Sequence, residues 1–96
     1  MRLISEFSAD GESSLQGGMY GDYAVAIEGD FGGGTVQFVF VDPDGNELTA
    51  NTTDWSFTSS PEFPQAWGFP SDCRFKVKLT GATSPNLKVY VTRYYG

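Results

Sequence analysis

The chain has 96 residues, enough for one domain with a modest core, and it carries twelve acids against six bases and no histidine. An acidic body of this kind excludes general nucleic-acid binding, and the missing imidazole removes the commonest general base and metal ligand. A single cysteine excludes an internal disulfide, and no apolar run is long enough to cross a membrane as a helix.

Taken in order, Arg2–Phe7 reads as a first strand with Leu3, Ile4 and Phe7 as its apolar content. Residues 8–22 follow as a loop or edge segment rich in glycine, serine and acid. The stretch Tyr23–Val41 organises the chain. Tyr23, Val25, Ile27 and Phe31 share one parity, and Val36, Phe38 and Phe40 share another, which is the period of half-buried strands. Gly32, Gly33 and Gly34 lie between, and the pattern predicts two antiparallel strands joined by a tight glycine turn. The run Asp42-Pro43-Asp44-Gly45-Asn46 predicts a type I turn, with Glu47–Thr49 as a short returning strand.

Residues 51–70 are the least regular. Trp55 and Phe57 alternate with polar residues in a short strand. Phe63, Trp67 and Phe69 sit among prolines that exclude a helix or a central strand. Arg74–Leu79 alternates between charged or basic and apolar residues. Cys73, on the apolar parity, reads as a small buried hydrophobe. After a turn over Gly81–Asn86, Leu87, Val89 and Val91 mark the last strand, ending near Tyr95. Seven to eight short strands with a turn about every ten residues predict a single all-β domain over residues 1–96 without substantial helix, an antiparallel β-sandwich or jelly roll.

Candidate chemistry is sparse. The glycine triplet lacks the Gly-Lys-Ser/Thr ending of a phosphate loop. Asp42, Asp44 and Asn46 have the spacing of the first calcium-loop ligands, but the glycine and the closing glutamate of that motif are misplaced; weak calcium binding at 42–46 stays open. No pair of acids stands out for hydrolysis, and neither an enzyme nor a cofactor is expected. The aromatic group Trp55, Phe57, Phe63, Trp67 and Phe69 leaves three readings: one end of the core, a sugar-stacking platform, or a subunit interface. Val39 and Val41 lie on the parity opposite Phe38 and Phe40, so both faces of that strand need a cover. That favours the interface, with Arg74, Lys76 and Lys78 as a basic strand able to meet an acidic surface.

The segments Val-Ala-Ile-Glu-Gly-Asp-Phe-Gly-Gly-Gly-Thr-Val (25–36) and Lys-Leu-Thr-Gly-Ala-Thr-Ser-Pro-Asn-Leu (78–87), with the Asp-Gly hairpin between them, resemble small virion proteins of tailed bacteriophages. The likeness spans about two thirds of the chain and rests on turn-and-strand patterns; the segment 51–70 departs from it. The resemblance implies a β-sandwich made in the host cytoplasm and built into the virion. Its role would be a capsid decoration or cement protein, expected as a homotrimer bound to the major capsid protein or other virion proteins. It carries over no catalytic residue. A glycan-binding module on a tail appendage and a neck or head–tail connector component are the alternatives.

Overall fold

The computed structural model describes residues 1–48, 55–70 and 73–94. Thr49, Asp54 and Tyr95 lie outside the described residues. In chain order the strands are β1 (Arg2–Phe7), β2 (Gly11–Glu12), β3 (Gly21–Asp30), β4 (Thr35–Val41), β5 (Ser56–Phe57), β6 (Ala66–Phe69), β7 (Arg74–Thr80) and β8 (Asn86–Arg93), with no α-helix among the described residues. They form two four-stranded antiparallel sheets, β1-β8-β3-β6 and β2-β7-β4-β5.

The two orders match strand for strand. Each consecutive pair (β1/β2, β3/β4, β5/β6, β7/β8) is divided between the layers, so the chain crosses the sandwich four times at one end. This is the wiring of an eight-stranded jelly roll. It corrects the expected hairpin over Tyr23–Val41. β3 pairs with β8 and β6, with Ile27 opposite Val89, while β4 pairs with β7 and β5, with Phe38 opposite Val77. The glycine turn is therefore an arch between sheets. Period two reports only that each strand has one face on a core, which is equally true of a hairpin and of an arch.

The arches at residues 8–10, 31–34 and 81–85 lie against one another. Gly34 N donates to Phe31 O at 2.9 Å, and Thr83 N donates to Gly32 O at 2.9 Å. The Asp10 carboxylate accepts the N–H groups of Gly81 at 3.0 Å and Ala82 at 2.8 Å. Gly29 and Gly32 have φ of 112° and 59°, and a Cβ at either would overlap the carbonyl oxygen of Asn86 or Thr83. Two of these glycines are thus set by a close backbone approach as well as by their dihedrals.

Between the layers, Val25, Val36, Phe38, Phe75, Val77, Leu79, Leu87, Val89 and Val91 are almost completely buried. The parities read from the sequence for 25–27, 36–38, 75–79 and 87–91 all face this core. Cys73 precedes β7, is half-buried, and its burial pushes the thiol pKa up.

Candidate functional site

Three surfaces carry the residues singled out by the sequence. The first is the aromatic end of the sandwich. The Trp55 ring lies 5.0 Å from Phe40, 5.1 Å from Phe69 and 5.6 Å from Phe38, and Trp67 meets Phe57 edge-on at 5.6 Å. Phe57 and Phe69 are buried in the core cluster, and Trp55 and Trp67 pack against it. Of the five aromatics only Phe63 is exposed, at 47%. The prolines around them suit β6 to an edge strand, and among the described residues it pairs with β3 alone. The structure brings four of the five together as the closure of one end of the core, so neither indole stands out as a free stacking surface.

The second surface is the outer face of the β2-β7-β4-β5 sheet. Val39 and Val41 are each only 7% exposed, which corrects the expectation that this side of β4 waits for a neighbour. A network of charged side chains lies beside them. Glu47 pairs with the backbone of Val41 on one edge of β4. Its carboxylate nevertheless reaches Lys76 at 2.9 Å and Lys78 at 2.6 Å on β7, beyond the opposite edge. The side chain must therefore cross β4 at the level of Val39, whose register partner is Lys76. Glu12 on β2 closes the figure from the other side, 3.3 Å from Lys76 and 3.8 Å from Lys78. A lysine stem can lie on apolar surface while its ammonium group stays with a carboxylate. Arg74 donates to the Asp42 carbonyl at 2.9 Å. Lys76 and Lys78 thus already have their counter-charges within the chain, and Arg74 is held by a backbone carbonyl.

Glu47 and Lys76 set a pH response. Lys78 and Lys76 hold the Glu47 carboxyl below its ordinary 4.5, and Glu47 holds Lys76 above its ordinary 10.5. A depressed acid adds stability above its unfolded pKa and loses it as the pH falls through the folded value. A raised lysine adds stability below its unfolded pKa and loses it as the pH climbs through the folded one. The pair is therefore fully effective between 4.5 and 10.5. The difference in melting temperature between wild type and Glu47→Gln should be constant across neutral pH, shrink below that window, and be largely abolished by molar salt, because these groups are solvated. A difference unchanged from pH 7 to pH 3 would assign Glu47 a packing role only.

No family model matches the chain, and no curated protein or solved structure matches it.

The turn at 42–46 forms as expected. Asp42 Oδ1 accepts the N–H of Asp44 at 2.9 Å and of Asn46 at 2.8 Å, and these bonds, that from Asn46 foremost, hold its carboxyl below the ordinary value. This oxygen is engaged in closing the turn, and the described residues contain no group of three metal-ligating side chains.

The third surface, the outer face of the β1-β8-β3-β6 sheet, carries Tyr90, which with Tyr94 and Tyr95 the sequence offers to a sugar-stacking platform or a subunit interface; its other residues were not singled out. Its middle holds Leu3, Tyr90 and Ala26, and a row of charge, Glu6, Lys88 and Glu28, crosses β1, β8 and β3 toward the arches. Leu3 is 47% exposed. The signal that marks this face is the pair Ala24 and Ala26, small apolar residues on the parity of β3 that otherwise carries Asp22 and Glu28.

Proposed function

We propose that the chain is a structural virion protein of a tailed bacteriophage, a jelly-roll module that decorates the head shell and strengthens it through surface contacts. Architecture alone does not select a function, although jelly rolls recur among viral capsid and lectin domains. The observation that carries the reading is how the polar side chains are used. Asp10, Asp30 and Asp42 accept backbone N–H groups, and Glu12 and Glu47 bind lysines. Two depressions among the described residues, about 200 and 250 Å³, are smaller than the roughly 300–1,000 Å³ of ordinary ligand pockets. What the molecule offers a partner is broad faces, as an architectural protein requires, and the likeness of segments 25–36 and 78–87 to small virion proteins gives those faces a setting.

Particles purified from the phage that encodes the chain test this reading. The protein should copurify in a fixed ratio to the major capsid protein, and particles made without it should release their genome at a lower temperature. Its absence from purified particles would overturn the proposal.

A further inference from the structure

The register between β3 and β8 sets Lys88 opposite Glu28, Tyr90 opposite Ala26, and Thr92 opposite Ala24 on the outer face of the β1-β8-β3-β6 sheet. Row by row, β8 therefore carries the cation or the larger side chain, and β3 the anion or the smaller one. Lys88 and Glu28 are exposed, and neither belongs to an ion pair among the described residues. Tyr90 is half-buried, and its ring has no aromatic partner among the described residues. Ala24 is fully buried by its own chain, so the open part of the face runs from Ala26 and Tyr90 toward the arches.

A two-fold axis parallel to the strands, between β8 and β3, keeps every row at its own level and lays β8 of one copy over β3 of the other. Lys88 then meets the second copy's Glu28, and Tyr90 meets the second copy's Ala26. Each contact occurs twice. We infer that this face is an isologous contact between two copies of the chain. The occupant is a second copy because the face is complementary to itself under that one operation, in charge and in volume.

A further feature agrees. A depression of about 250 Å³ lined by Glu28, Gly29, Asn86 and Lys88 lies where the second copy's lysine would enter. The molecule measures 35 × 33 × 21 Å along its principal axes. Two such sheets can pack aligned about 10 Å apart. The other outer face does not offer the same contact, since its lysines are already paired with Glu12 and Glu47. The inference concerns two-fold association and does not depend on the virion reading.

Sedimentation velocity across a concentration series tests it. The wild-type chain should form a dimer. Lys88→Glu should weaken dimerisation at least tenfold while the β-sheet circular-dichroism spectrum is kept, and the double reversal Lys88→Glu with Glu28→Lys should restore it to within about threefold, one bridge being as good as its mirror. Ala26→Arg should abolish the dimer, because it fills the place of the opposing Tyr90. Glu12→Gln, on the opposite outer face, should leave dimerisation unchanged. A monomer at 100-fold the concentration used for folding measurements, a trimer, or a dimer indifferent to Lys88→Glu would each overturn the inference.

Discussion

Alanine in place of Gly29 is expected to destabilise the domain by about 2–5 kcal/mol, against about 1–2 kcal/mol for alanine at Gly33. Both glycines have positive φ, 112° and 77°, so both substitutions carry backbone strain. They differ in what a methyl group would meet. At Gly33 it would enter open space, whereas at Gly29 it would overlap the Asn86 carbonyl oxygen on the neighbouring β8. That neighbour is backbone in a paired strand and cannot swing aside as a side chain would. Urea denaturation of the two variants gives the comparison through their midpoints at equal m-value. Equal losses would mean that the arches relax freely and that only the dihedral angle matters. Gly32, which faces Thr83 in the same way, should behave like Gly29.

This contrast also marks how far the sequence could be read. The triplet Gly32–Gly34 was legible as a turn, and the strands around it were legible from the alternation of Val25 and Ile27 and of Val36 and Phe38. Their assignment to different layers was not. It depends on β8 lying beside β3 and β7 beside β4, and those pairings join residues about sixty and forty positions apart. No local pattern encodes such a distance. β2 was illegible for another reason: Gly11 and Glu12 have no apolar residue between them to mark a face, and only their pairing with Leu79 and Lys78 makes them a strand.

The surfaces show a similar division. Reading Val39 and Val41 as open treated Lys76 and Lys78 as charges alone. The Glu47 side chain, reaching over β4 to both lysines, lies across this face instead. Conversely, the face carrying Lys88 and Tyr90 was legible only through its tyrosine, because its self-complementarity exists only once Glu28 and Ala26 are placed beside them by the β3–β8 register. The aromatics of 55–69 were legible as a group, and among their alternative readings the closure of one core end is the arrangement the ring contacts display.

The ring contacts give the second large effect. Phe38→Ala is expected to cost about 3–5 kcal/mol, a large fraction of the roughly 5–15 kcal/mol that holds a domain of this kind together. Phe38 is 2% exposed and stacks on Phe75 at 5.6 Å, with Trp55 at 5.6 Å, Phe57 at 6.1 Å and Phe69 at 6.4 Å. These partners come from both layers: Phe75 and Phe57 share the sheet of Phe38, and Phe69 stands on β6 of the other sheet. Truncating Phe38 therefore opens a void between the sheets at the point where the aromatic end joins the aliphatic core. The surrounding rings are too rigid to collapse into it, so the cavity contribution should be near its upper range. The melting temperature should fall by about 4–8 °C per kcal/mol, and Trp55, left with one less ring against it, should report the change as red-shifted fluorescence before global unfolding. Phe63→Ala is the matched control. It is the same substitution in the exposed segment before β6, and it should shift stability by no more than about 0.5 kcal/mol. If the two variants melted together, the aromatic network would be a surface feature and the core would have to be sought elsewhere.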